Sequence, residues 1–260
     1  MRRTGQHAVM LQHTHEGPVA VLTLDHPARR NALALPMRDA LLSALLAIEA
    51  DRAIRAIVLT GAGGHFCAGG DISGMDAADL AAGRARFGVA HQIVRMLVRG
   101  RLPVVAAVEG ACVGAGLALA LCCDTIVVAD DARLAAGFGV IGLVGDFGLL
   151  HTLPARVGLG RARQMLLYNE PVPPDVASAT GLVDQVVPPG TALTAALKRA
   201  RTLATAAPMP IALTKQVLSQ GLDAMLDWER DTQAALFQTA DHAEGRTAFL
   251  ARRPPVFTGV

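Results

Sequence analysis

The sequence predicts an α/β fold ending in a helical module, and three observations carry that prediction. Short β-branched apolar runs alternate with helix-prone runs as far as residue 187. Two of those runs are each followed by a glycine-rich turn, at residues 61–72 and 108–116. Beyond the last short apolar run the pattern is helical almost throughout. Alternation of this kind indicates a strand-and-helix core rather than an all-β or all-α domain. The expected division is an α/β core over residues 1–190 and a helical module over 191–260.

Composition narrows the class. Of 260 residues, 52% are apolar and only 3% aromatic, so the core is expected to be helix-rich and closely packed with small side chains. A formal net charge of +2 offers no basic face for nucleic acid. The four cysteines, Cys67, Cys112, Cys122 and Cys123, lack metal-ligand spacing, and two are sequence neighbours, which suits buried thiols better than a disulfide framework. The basic start Met1-Arg-Arg-Thr is followed by His7, Gln12, His13, His15 and Glu16, so no signal-type apolar region forms. The longest uncharged apolar stretch, residues 110–123, is shorter than the roughly 20 residues a bilayer span needs. A cytoplasmic protein acting away from membranes, without a metal, is the expectation.

In chain order, residues 8–13 and 19–24, parted by Glu16-Gly17-Pro18, read as an antiparallel hairpin. Residues 27–33 form a polar turn, and 36–49 an amphipathic helix with Pro36 near its first turn. Residues 54–60 read as a buried strand feeding the first glycine turn. Residues 73–86 show no clear period, whereas 88–98 return to helical spacing through Val89, Ile93, Met96 and Leu97. Residues 103–108 are a second feeding strand, a helix begins near Gly114, and 125–129 is a further strand. Residues 181–187 hold the final strand. Helices follow over 193–206, 210–218, 222–240 and 244–252, broken by Pro208, Pro210 and Gly221.

Small residues where a strand gives way to a helix let a ligand approach the backbone. They also leave first-turn N–H groups without intrahelical partners, free to meet an anion. Two such turns side by side can aim two donors at one oxygen, which is a backbone oxyanion hole. The literal GxGxxG at Gly137-Phe-Gly-Val-Ile-Gly142 has no acid in the following 159–167 stretch and is read as accidental.

Phe66-Cys67-Ala68-Gly69-Gly70-Asp71-Ile72 and Ala107-Val108-Glu109-Gly110 with Gly114-Ala115-Gly116 resemble the two donor loops of the crotonase (enoyl-CoA hydratase/isomerase) superfamily. The similarity runs from His26-Pro27-Ala28-Arg29-Arg30-Asn31-Ala32-Leu33 to Glu244-Gly245, Phe249 and Phe257. It implies a crotonase-like spiral of ββα units, with a C-terminal helical cap that builds a homotrimer or a dimer of trimers. It also implies an acyl-CoA thioester substrate, CoA being part of that substrate, and no other cofactor. By the same resemblance, Ala68 and Ala115 (or Gly114) donate N–H to the thioester carbonyl. Ala28, Arg29, Arg30, Phe66, Gly69, Gly70, Asp71, Ile72 and Phe138 border substrate or CoA, as do Phe249 and Arg253 from the tail. Residues 73–86 correspond to a segment that borders the acyl pocket and is often mobile in the family.

Moving protons needs an acid/base beside the oxyanion hole. Hydratases of the superfamily place glutamates at two positions that here hold Ala118 and Phe138, so the usual pair for water addition is absent. The nearest acid is Asp146, in Gly142-Leu-Val-Gly-Asp-Phe-Gly-Leu-Leu-His-Thr-Leu-Pro, a pattern resembling the Asp-using isomerases of the superfamily such as the epoxyphenylacetyl-CoA isomerases. Asp146 is either a helix N-cap or a pocket acid whose pKa burial would raise. Asp71 and Asp124 read as structural hydrogen-bond acceptors. Glu109 precedes the second glycine turn, where the superfamily tolerates varied polar residues, and His151 lies five residues past Asp146, a poor spacing for sharing a helical face. His65 borders the first turn, where it could see the ligand, with a surface histidine as the commoner case, and Lys215 has a packing or surface role by default. A double-bond shift by Asp146 is the leading reading. A hydratase holding water on Asp146 alone and a non-catalytic acyl-CoA-binding homologue are the alternatives.

Overall fold

The computed structural model describes residues 10–75 and 79–260. Residues 8 and 9 of the first expected strand, the basic start, and residues 76–78 of the aperiodic segment lie outside them. The elements run β1 (Leu11–Glu16), β2 (Val19–Leu24), α1 (Leu35–Ala50), β3 (Ala56–Gly61), α2 (Leu80–Ala85), α3 (Phe87–Arg99), β4 (Val104–Val108), β5 (Ala111–Val113) and α4 (Ala115–Leu121). They continue with β6 (Thr125–Ala129), β7 (Arg133–Ala135), α5 (Leu149–Tyr168), α6 (Pro174–Ala179), β8 (Gln185–Val187), α7 (Ala192–Thr205), α8 (Pro208–Leu218), α9 (Leu222–Leu236) and α10 (Ala240–Leu250). Part of the aperiodic segment is helical after all: α2 begins where the Asp79 carboxylate accepts the Ala82 N–H.

Six strands form one sheet in the order β1-β2-β3-β4-β6-β8. The hairpin β1–β2 is antiparallel, and each later pairing is parallel. A second, two-stranded parallel sheet joins β5 to β7. Parallel pairing requires crossovers, and the helices that supply them cover the sheet faces. Alternation along β2 sends Ala20, Leu22 and Leu24 to the larger core and Val19 and Val21 to a smaller one. The larger core takes Leu41, Leu45 and Ile48 from α1, each contributing about 2 kcal/mol by burial. The smaller core is closed by Ala192, Ala196, Ala200 and Ala204, one alanine per turn of α7. The boundary expected at 190/191 thus falls between β8 and a helix that is itself part of the sheet packing.

Buried polar groups tie the elements together. The Lys215 ammonium donates to the Leu97 carbonyl at 2.8 Å and pairs with Asp124, whose carboxylate also accepts the Val104 N–H. Glu109 accepts the N–H groups of Gly190 and Ala192 at the start of α7. Asp124 is structural, as expected, and Glu109 is too. The four thiols are free and buried, and burial pushes those of Cys67 and Cys123 up to about 12.

Candidate active site

The two glycine turns lie side by side because main-chain bonds stitch them. Phe66 N–H donates to the Glu109 carbonyl, Cys67 N–H to Ala111, and Val113 N–H to Cys67, at 2.8, 2.8 and 3.1 Å. Gly116 is required where α4 passes the first turn, since a Cβ there would stand 2.2 Å from the Cys67 carbonyl oxygen. Asn31, fully buried and at φ 57°, braces the first turn from the side. Its amide donates to the carbonyls of Ala62 (2.9 Å) and His65 (2.7 Å) while its oxygen accepts the His26 N–H. His65 Nδ1 accepts the Ala111 N–H, so that histidine belongs to the scaffold.

Which N–H groups remain free corrects the sequence expectation. The Ala68 N–H donates to the Arg30 carbonyl at 2.9 Å, and the Gly114 N–H to the Ala135 carbonyl at 2.9 Å, so neither is an available donor. The segment after Arg30 runs along the first turn as a short bridge, with Leu33 N–H bonded to the Gly69 carbonyl, and this consumes the Ala68 group. Among the described residues no hydrogen bond engages the N–H of Gly70 or of Ala115. Ala115 is the first residue of α4, where an unpaired N–H is inherent to helix geometry. Gly69 packs against it: a Cβ on Gly69 would lie 3.8 Å from the Ala115 nitrogen.

Asp146 is 5% exposed. It does not cap a helix, because Gly148 occupies the N-cap of α5 and the Asp146 carboxylate accepts no N–H from its first turn. Its Oδ1 has no hydrogen-bond partner among the described residues, and Oδ2 stands 3.5 Å from Gln233 Nε2. The carboxyl is pushed up to about 7, first by burial and next by the negative charge of Glu229, with Arg38 pulling the other way. Arg38, itself buried, donates Nε to the Leu33 carbonyl and lies 5.3 Å over the Phe147 ring. A cavity of about 200 Å³ lined by Leu33, Pro36, Arg38, Asp71, Gly74 and Arg86 opens beside the first glycine turn.

Ala118 and Phe138 are buried and apolar, so no second acid stands at those positions. Asp71 accepts from the Ser73 N–H and hydroxyl and lies 3.8 Å from Arg29, fixing the end of the turn as expected. Ala28, Arg29 and Arg30 are exposed on a short 3-10 turn, while Phe66 and Gly69 are buried and Ile72 half-buried. Phe249 is exposed on α10. Arg253 is held in a two-pronged pair with Glu244, at 2.6 and 2.7 Å, so its guanidinium is already engaged within the chain. Sequence reasoning missed Asn31, Arg38, His91, Glu229 and Gln233, all buried polar residues. For two of them a signal existed: Leu222, Leu226, Glu229 and Gln233 fall on one helical face, placing two polar groups on an apolar stripe.

A mostly parallel sheet whose strands end in two glycine turns laced together and carrying free N–H groups, with a buried acid just before α5, has the layout of a crotonase-type fold. The family model for enoyl-CoA hydratase/isomerase matches residues 14–260. A 1,2-epoxyphenylacetyl-CoA isomerase of Escherichia coli (strain K12) is 37% identical over 96% of this chain and 98% of its own length. A probable enoyl-CoA hydratase of Rhodobacter capsulatus is 38% identical over 93% and 95%. The crystal structure of an enoyl-CoA hydratase from Mycobacterium avium subsp. paratuberculosis K-10 superposes with a TM-score of 0.86 at 30% identity, covering 96% of this chain and 98% of that one. The chain belongs to the enoyl-CoA hydratase/isomerase family of acyl-CoA enzymes. No helix among the described residues is long and apolar enough to cross a membrane, and no metal-binding cluster occurs among them.

Proposed function

We propose that the chain is an enoyl-CoA isomerase that shifts a proton and double bond within the acyl group of a CoA thioester. The thioester carbonyl is held by the Gly70 and Ala115 N–H groups, which favour the enolate oxygen over the ground-state carbonyl. Asp146 removes a proton from one carbon of the enolisable system and returns it to another. The observation that carries this reading is the buried, unpartnered Asp146 Oδ1, together with a carboxyl raised to about 7 and apolar groups where a second acid would stand. A single group that must both take and give a proton works best with a pKa near the operating pH.

The experiment is product analysis with 2- and 3-enoyl-CoA substrates in deuterium oxide. An isomerase yields the shifted alkene with no gain of water, its deuterium content reporting how far the proton on Asp146 exchanges with solvent before it is returned, and Asp146→Asn abolishes the shift. Unimpaired turnover by that variant would remove Asp146 from the mechanism. The isomerase relative makes an epoxide-bearing aryl-acyl-CoA a further member of the panel. Water addition is the second reading, favoured by the hydratase names among the relatives, and 3-hydroxyacyl-CoA would be its product. Binding of acyl-CoA with no conversion would instead mark a non-catalytic homologue. The reading includes a homotrimer, single or paired, in which Phe249 and its tail meet CoA bound to a neighbour, checked by light scattering on the eluted protein.

A further inference from the structure

Helix α9 belongs to the C-terminal region, yet two of its side chains grip the loop that carries Asp146. Glu229 is fully buried. Its Oε1 accepts the Phe147 N–H at 2.9 Å and its Oε2 the Gly148 N–H at 2.8 Å. His91 on α3, itself buried, meets Oε1 at 2.9 Å through Nε2. One turn further on, Gln233 donates Nε2 to the Val144 carbonyl at 3.0 Å and faces Asp146 Oδ2 at 3.5 Å. The main chain is therefore held on both sides of the aspartate by one helix face.

The hold has a conformational purpose. Phe147 sits at φ 56°, a left-handed conformation that a bulky residue keeps only when its surroundings impose it. The two bonds to Glu229 impose it. They also use a carboxylate, whose two oxygens each accept one N–H and whose charge strengthens both bonds. We infer that Glu229 and Gln233 are positioning residues for Asp146, acting through its loop and its carboxyl without touching the substrate.

Their electrostatic effects on Asp146 have opposite signs. The Glu229 charge opposes ionisation of Asp146, whereas the Gln233 amide donor favours the ionised form. The other charges facing Asp146 are Arg38 on α1 and Arg86 at the end of α2, both favouring ionisation. Facing Glu229 are His91, Asp146 and the Cys122 thiol at the end of α4. The link to catalysis rests on the isomerase reading of Asp146, while the link to its titration does not.

The test uses full-length protein labelled at aspartate carboxyl carbons, with the Asp146 resonance assigned by its loss in D146N. Its titration is followed by NMR in wild type, E229Q and Q233L, and kcat and KM are measured against pH with an enoyl-CoA. The expected result is a midpoint lowered by about one unit or more in E229Q and raised in Q233L, with the kcat/KM profile following each. Unchanged midpoints, or movement in the same direction in both variants, would overturn the inference. If E229Q does not fold, Q233L decides alone, and an unmoved midpoint there overturns it. Midpoints that split as expected while D146N retains full turnover would sink the isomerase reading and leave the positioning role standing.

Discussion

Replacing Asp146 by asparagine is expected to cost activity and to stabilise the protein, and the second effect has a definite pH dependence. The carboxyl titrates at about 7 in the folded chain against an ordinary 3.8. A rise of about three units corresponds to about 4 kcal/mol between the protonation states. Below about pH 4 the group is neutral both folded and unfolded, and it costs nothing. Between that point and about pH 7 the unfolded chain releases a proton that the folded chain keeps, so wild-type stability falls with rising pH. Above the folded value the loss is complete. The asparagine of the D146N variant cannot ionise and escapes it. The stability difference between variant and wild type should therefore be small near pH 4 and grow to about 4 kcal/mol at pH 8. In a chain of this size that is a melting shift of about 8 °C. Urea unfolding followed through the single tryptophan, Trp228, at both pH values and one protein concentration measures it. A difference that does not change with pH, or a variant less stable at pH 8, would refute the account of Asp146 as a buried group held near neutrality.

Other consequences are as direct. Ala115→Pro removes a backbone donor at a first helical position, where proline is tolerated; circular dichroism should match wild type while kcat falls by about 10²–10³. Gly116→Ala places a methyl 2.2 Å from the Cys67 oxygen and should destabilise the fold by about 3 kcal/mol in denaturant unfolding, despite the better helix propensity of alanine. Asn31→Ala strands two carbonyls and an N–H beneath the first turn, with an expected loss of about 3 kcal/mol and a raised KM for acyl-CoA. In wild type, kcat/KM should rise with pH through about 7 and then level off, because the free enzyme must hold Asp146 as a base.

Elements with strong local signals were legible. The β-branched runs ending in glycine became β3 and β4 with their turns, and the helical spacing at 88–98 became α3 within a residue at each end. Asp146 was found because no other acid stands in the loop between β7 and α5. The donor identity was misread for a physical reason: whether the Ala68 N–H is free depends on the Arg30 carbonyl, which a different loop delivers. No spacing within the turn encodes that. Glu229 was lost in a helix whose neighbours Trp228 and Arg230 suggest a wet surface, and only the register with Leu222 and Leu226 betrays its inward direction. Arg38 was hidden in the same way, since a charged residue on an amphipathic helix is ordinarily solvated.

The alanines of α7 set a mechanical condition on chemistry taking place across the sheet. With a methyl at each turn, the helix backbone beds low over β2, β3, β4 and β6 like a bolt laid across floorboards. The strands that end in the two glycine turns are among those it crosses, so their relative height is fixed from behind. A bulkier residue at Ala196 or Ala200 would lift the bolt, let adjacent boards slide, and blur the alignment of the turns without altering any group at the catalytic face.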